Sequence, residues 1–319
     1  MRSLVARAPV RIDFGGGWTD VPPYCDVEGG CVCSVAIERH SVVRVRKAPG
    51  TVGASIVSDH PLETTLAEAA VRRAGVSGIA VELRNEFPIG AGLGGSSAAA
   101  VAMFGALSAW RGLAFDRSAI AEESRIAETE DLGIAVGRQD HYAAAFGGAL
   151  ELHFTGTTRV RRLPLSPETR EAIERQCIVA YTGRSRISAT TVTAVIDAWR
   201  SGTPHVVDAL ARMKELARQM ARAIAEDRVD DLAGLVAEHW EYQRTLHPTI
   251  TTPLIDELVT RAKAAGATGW KALGASGGGC MLAMAPEEHV ERVRGAMMAL
   301  AEPVPVRIDE GGLTWIAEE

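Results

Sequence analysis

The sequence predicts an α+β protein built from two domains, and three observations carry that expectation. Strand-like runs lead the chain and recur among helices without the regular βαβ alternation of a doubly wound sheet. The chain has 319 residues, 47% of them hydrophobic and 23% charged, enough apolar material for two modest cores. A proline-punctuated break, Leu163-Pro164-Leu165-Ser166-Pro167, falls near the middle and divides residues 1–165 from 166–319.

The elements follow in order. Val5 to Ile12 reads as a strand that Gly15-Gly16-Gly17 interrupts. Cys31 to Ile37 and Val42 to Val45 read as two further strands with a short connection. Leu62 to Ala74 is helical in pattern and stops at Gly75, which takes a left-handed cap easily. Ile79 to Leu83 is a strand, and a glycine loop at 88–97 then opens directly onto the alanine-rich helix Ala98 to Trp110. Asp116 is placed to cap a helix over 116–130, and another helix begins near Gln139. Beyond the break come a strand at Cys177 to Tyr181 and helices at Val206 to Ala225 and Leu232 to Leu246. Strands at Met281 to Ala283 and Val304 to Ile308 flank a helix at Pro286 to Ala301.

Composition removes several function classes. A net charge of −6 leaves no basic footprint for nucleic acid. Cys25, Cys31, Cys33, Cys177 and Cys280 are odd in number and scattered, giving neither a disulfide framework nor a zinc spacing; they read as reduced core residues. The N-terminus lacks a signal-type apolar block, and the longest apolar run is shorter than the roughly 20 residues that span a bilayer. These features predict a soluble, cytoplasmic protein without a membrane partner. A monomer and a homodimer are both compatible with the sequence.

The strongest chemical signal is Pro88-Ile89-Gly90-Ala91-Gly92-Leu93-Gly94-Gly95-Ser96-Ser97. Successive glycines let backbone N–H groups converge on an anion, and the helix that follows adds its N-terminal dipole. The serines add hydroxyls for phosphate or a phosphate-bound cation. A helix–helix contact of small residues would explain the glycines, but not serines at the helix start. The loop lacks the Gly-Lys-Ser/Thr of a P-loop, and the protein-kinase signatures are missing as well.

This loop resembles the central nucleotide-binding motif of the GHMP kinases (galactokinase, homoserine kinase, mevalonate kinase, phosphomevalonate kinase). Ala8-Pro9-Val10-Arg11-Ile12-Asp13-Phe14-Gly15-Gly16-Gly17-Trp18-Thr19-Asp20 resembles their first motif, and Leu273-Gly274-Ala275-Ser276-Gly277-Gly278-Gly279-Cys280-Met281 their last. Gly137-Arg138-Gln139-Asp140-His141-Tyr142 and Tyr181-Thr182-Gly183-Arg184-Ser185-Arg186 are similar to segments of D-glycero-D-manno-heptose 7-phosphate kinases. Gly16-Gly17-Trp18-Thr19-Asp20-Val21-Pro22-Pro23 looks closer to L-fucose kinases, where a tryptophan also stands at that place.

The resemblance implies a two-domain GHMP fold: a ribosomal protein S5 domain 2-like N-terminal domain over 1–165 and a ferredoxin-like C-terminal domain over 166–319. It implies an ATP-dependent kinase using Mg²⁺ and phosphorylating a small sugar or sugar phosphate, with the anomeric hydroxyl of the heptose 7-phosphate first and L-fucose or another free hexose second; a GHMP kinase of a non-sugar and a non-catalytic nucleotide- or sugar-binding protein rank behind these. Asp140 is implied as the base; local sequence alone equally allows a helix-start cap. Arg11 is implied to stabilise charge beside that base and on the phosphoryl oxygens. Pro88, Gly90, Gly92, Leu93, Gly94, Gly95, Ser96 and Ser97 are implied to hold the nucleotide, with Ser96 (Ser97 as its neighbour) and Glu128 at the cation. Trp18, Thr19, Asp20, Gly277, Gly278 and Gly279 are implied at the substrate. Trp18 either stacks on a sugar ring or wedges its loop against the core. Arg184 and Arg186 either clamp a substrate phosphate or are ordinary loop residues. His239, Trp240 and His247 form no metal set and read as helix packing.

Overall fold

The structure is a computed structural model that describes residues 3–184 and 189–318. In chain order the elements are β1 (Ser3–Gly15), α1 (Tyr24–Val27), β2 (Gly30–Lys47), β3 (Ala54–Ser58), α2 (Pro61–Ala74) and β4 (Ile79–Asn85). Next are α3 (Gly95–Trp110), α4 (Arg117–Ile126), a π-helical turn (Ala127–Asp131), α5 (Gln139–Phe146), β5 (Ala149–Thr155) and β6 (Thr157–Leu163). The remainder comprises α6 (Pro167–Gln176), β7 (Cys177–Tyr181), α7 (Ala189–Arg200), α8 (Pro204–Ala225), α9 (Val229–Gln243) and α10 (Pro253–Ala264). It closes with β8 (Gly269–Ala272), β9 (Cys280–Met284), α11 (Val290–Met298), β10 (Glu302–Val304) and β11 (Thr314–Glu318).

Two sheets organise these elements. The first runs β11-β1-β2-β4-β3, with β5 and β6 attached to β2; the second is antiparallel in the order β10-β7-β9-β8. Both mix strands with packed helices, as an α+β architecture requires. The runs expected as separate strands at Cys31 to Ile37 and Val42 to Val45 form one continuous strand, β2. A register shift opposite Pro9 and Val10 lets β2 change partners, pairing β5 over Gly30–Val35 and β4 over Ser41–Lys47. His40 holds the crossover, its backbone N–H donating to Glu86 and its ring meeting Glu86 and Asp309.

The helix α3 is apolar on every side because it is buried on every side: Ser97 through Leu107 are all covered. It packs against β1, β2, α2, α4 and α5. Asp116 caps α4 by accepting from the backbone N–H groups of Ser118 and Ala119. The helix expected over 116–130 stays α-helical only to Ile126, then widens into the π turn, which turns Glu128 fully inward.

The break near Pro164 leads into a helix, α6, before the expected strand; Ser166 caps it with a bond from Thr169 N–H. Of the strand expected at Val304 to Ile308, only Val304 lies in one, β10 (Glu302–Val304), and Ile308 makes a single bridge to Ile37. The division expected at 165/166 assigns β11 to the second segment, but this strand pairs with β1 at the edge of the first sheet. Leu313 packs under Gly105 of α3, which is why the tail returns there. The helix α8 bridges the two cores, placing Val206 to Met213 in one and Leu216 to Ile224 in the other. No helix among the described residues is long and apolar enough to cross a membrane.

Candidate active site

The three glycine-bearing segments meet where β1, the start of α3 and the loop between β8 and β9 converge. Arg11, on β1, is only 4% exposed at its side chain and directs its donors into this junction. Its Nε donates to Asp140 Oδ1 at 2.9 Å, Nη2 lies 2.7 Å from the same oxygen, and Nη1 donates to the Gly92 carbonyl at 2.7 Å. The Arg11 backbone N–H reaches the Leu93 carbonyl at 3.0 Å. One arginine thus ties the glycine loop to the first turn of α5, where Asp140 stands with a quarter of its side chain exposed.

Gly94 lies against that carboxylate. A Cβ there would sit 3.0 Å from Asp140 Cγ, and φ is +79°, a conformation that side chains other than glycine's rarely accept. Gly94 N-caps α3, so the first amides of this helix, at Gly95, Ser96 and Ser97, have no intrahelical carbonyl to serve. The loop is fixed from behind by the last motif, since Cys280 N–H donates to the Ala91 carbonyl at 2.7 Å. Gly274 packs on Gly92, and Gly279 packs on Ala91. The Pro88 carbonyl closes the turn by accepting from Ala91 N–H, and Gly90 within it has a positive φ.

Below the loop is a buried polar group. Ser96 Oγ donates to Glu128 Oε1, Ser97 Oγ donates to Oε2 at 3.0 Å, and His141 Nε2 lies 2.5 Å from Oε2. Glu128 and His141 are wholly covered, whereas Ser96 is exposed. Burial would raise the Glu128 carboxyl, but the charge and hydrogen bond of His141, with those of the two serines, outweigh it and hold the carboxyl below its ordinary range. Sequence reasoning missed His141. Its signal was position alone, one residue after Asp140 in the first turn of α5.

The first motif does not offer all of its residues to a ligand. Thr19, expected at the substrate, is fully buried; its hydroxyl donates to the carbonyls of Gly16 and Cys31 and accepts from Cys31 N–H. Its one proton is shared between two carbonyls and it accepts one amide, and it has no exposed surface, so it staples the loop as a turn residue and is turned away from substrate. Trp18 is 5% exposed and belongs to the same hydrophobic cluster as Val21, Tyr24 and Trp240, a burial that favours wedging its loop against the core. Asp20 is 1% exposed. Its Oδ2 accepts from Gln139 N–H at 3.0 Å, and Gly137 passes so close that a Cβ would be 2.0 Å from that oxygen. Burial, reinforced by the charges of Asp140 and Asp13 and opposed by the Gln139 amide, pushes Asp20 up to about 6.

Two more buried groups hold this loop, and neither was singled out from sequence as part of it. Lys271, with no exposed surface, donates to Asp13 Oδ2 at 3.1 Å and to the Phe14 carbonyl at 3.4 Å. His239, read as helix packing, accepts from Gly16 N–H at 2.9 Å through Nε2. In the last motif Gly277 N–H donates to the Ile250 carbonyl and Gly279 N–H to the Arg184 carbonyl. A Cβ on Gly278 would meet that same Arg184 oxygen at 2.7 Å. Arg184 is exposed beside these turns; Arg186 lies outside the described residues.

Comparison with known proteins places this geometry. The GHMP kinase N-terminal domain family matches residues 62–148, and the GHMP kinase C-terminal family matches 220–300. The chain is 27% identical to an L-fucokinase/L-fucose-1-P guanylyltransferase of Bacteroides fragilis over 88% of its own length and 34% of that protein's. It therefore spans about a third of that longer relative. It is 30% identical to a mevalonate kinase of Thermococcus gammatolerans (74% of this chain, 68% of the other). Against a D-glycero-alpha-D-manno-heptose 7-phosphate kinase of Campylobacter jejuni the identity is 25% (88% and 89%). The crystal structure of a D-glycero-D-manno-heptose 1-phosphate kinase from Bacteroides thetaiotaomicron superposes with a TM-score of 0.81 over 99% of both chains at 21% identity, a likeness of fold.

Proposed function

Because the chain belongs to the GHMP kinase family, we propose that it is an ATP-dependent sugar kinase acting on the anomeric hydroxyl of D-glycero-D-manno-heptose 7-phosphate. The observation that carries this reading is the partly exposed Asp140 carboxylate, held by Arg11 against Gly94 at the N-terminus of α3. The amides of Gly95, Ser96 and Ser97 are the cradle for the ATP phosphates, and the helix dipole favours their charge. The donor set fits magnesium: the Ser96 hydroxyl and the Glu128 carboxylate are hard oxygens that the π turn brings together. When bound there, Mg²⁺ supplies charge neutralisation at the phosphates.

Asp140 accepts the proton of the attacking sugar hydroxyl, an anomeric hydroxyl being more acidic than an ordinary alcohol. Arg11, fixed by three hydrogen-bonding contacts, keeps Asp140 Oδ1 in place and sets positive charge where the phosphoryl group passes. Asp20 acts one layer back: by holding Gln139 N–H it fixes the first turn of α5 and so the carboxylate that follows. Arg184 stands exposed at the rim, suited to a phosphate already on the substrate.

L-fucose is the second reading, favoured by Trp18 in the first motif and by the likeness to the fucokinase. The test is ADP release, with and without Mg²⁺, on the heptose 7-phosphate, L-fucose, galactose and mevalonate. Turnover on mevalonate alone would defeat the sugar-kinase reading. In Asp140→Asn, nucleotide binding should persist while kcat falls by about 10²–10⁴; full activity would assign the base elsewhere.

A further inference from the structure

A second group of chemically competent side chains lies behind the loop that carries Asp20. Cys31 on β2 and His153 on β5 are direct antiparallel partners, and Glu151 is two residues from His153 on the same face of β5. One ligand atom from each of Cys31, Glu151 and His153 lies within 4.8 Å of the other two. Both Cys31 Sγ (3.8 Å) and His153 Nε2 (3.2 Å) are directed at the same oxygen, Glu151 Oε1. Arg161, opposite Glu151 on β6, takes the other oxygen at 2.5 Å. Oε1 is thereby left to the thiol and the imidazole, and Arg161 offsets part of the negative charge that three ligands bring. Cys31 and Glu151 are buried, and His153 keeps 22% of its side chain exposed, which gives an ion a way in.

We propose that Cys31, Glu151 and His153 form a binding site for a zinc-class divalent transition metal, distinct from the cation site at Ser96 and Glu128. Sulfur, nitrogen and one carboxylate oxygen are a zinc-type donor set, and the sulfur selects against magnesium. On binding, the thiol yields its proton to solvent as the metal–sulfur bond forms, so one proton leaves per ion bound, while His153 coordinates as the neutral ring through Nε2. The ion would clamp β2 to β5 where Cys31 already grips the first motif. Its carbonyl and amide hold Thr19, and Gly16 lies so close that a Cβ would come within 1.9 Å of its carbonyl oxygen. Metal binding thus braces the turn from Gly16 to Asp20 without entering the active site.

The test is titration of the purified protein with Co²⁺ alone, followed by absorption spectroscopy. The expected result is one equivalent with a sulfur-to-cobalt charge-transfer band, displaced by Zn²⁺ and accompanied by release of one proton. His153→Gln, at a partly exposed strand position, should weaken that band's affinity at least about 10-fold, and Cys31→Ala should abolish it, whereas Cys25→Ala should keep it. Cobalt at Ser96 and Glu128 has no sulfur ligand and gives no such band, so failure of the kinase reading leaves this test untouched. No charge-transfer band in the unmodified protein, or a band unchanged in His153→Gln, would overturn the proposal; the latter holds even where Cys31→Ala does not fold.

Discussion

Replacing Asp20 by asparagine probes how strongly the first motif is strained by its own charge. Asp20 is fully enclosed, and its carboxyl is raised from the ordinary 3.8 to about 6, burial being the largest cause. A carboxyl raised on folding binds its proton more tightly in the native than in the unfolded chain. Its favourable contribution is therefore complete below about pH 4 and is lost as the pH climbs through about 6. The gap between 3.8 and about 6, at about 1.4 kcal/mol per pH unit, corresponds to roughly 3 kcal/mol. The replacement side chain does not titrate, and its carbonyl can still accept from Gln139 N–H. Its amide would stand where Oδ1 now accepts from Gln139 Nε2 at 3.4 Å, and once the Gln139 amide turns over it can donate to Oε1, an atom that is buried and has no partner among the described residues. Urea unfolding of both proteins from pH 4.5 to 7.5 should show the variant gaining on the parent by most of that 3 kcal/mol as pH rises. Parallel pH profiles would refute the reasoning, because they would mean that Asp20 carries no excess proton affinity in the folded state.

Three further outcomes follow from the same geometry. Gly94→Ala places a Cβ against Asp140 at a left-handed φ, so kcat should fall by about 10–100-fold with some 1–2 kcal/mol of lost stability, read by steady-state kinetics and denaturation. Lys271→Met leaves Asp13 buried without its cation and should cost about 3–5 kcal/mol in unfolding experiments; adding Asp13→Asn should restore most of it. His141→Leu removes the nitrogen that holds Glu128. The Mg²⁺ concentration for half-maximal activity should rise about 10–100-fold, with the ADP affinity in the absence of magnesium unchanged.

The sequence by itself determined the elements whose causes are local. Gly75 caps α2, Asp116 caps α4, and Gly94 in the glycine loop starts α3, because cap and turn preferences act over a few residues. The three ordered glycine motifs also sufficed for the family, since glycine is required wherever backbones approach as closely as Gly92 and Leu273 do. Tertiary structure decided what depends on partners far along the chain. It merged two expected strands into β2, returned β11 to the first sheet, and turned Glu128 inward on a π turn. It committed Thr19 to backbone carbonyls, and it paired Lys271 with Asp13 across 258 positions and Cys31 with Glu151 across 120. Burial and charge pairing are set by the whole packed molecule, so a carboxylate's neighbours cannot be read from its own stretch of sequence.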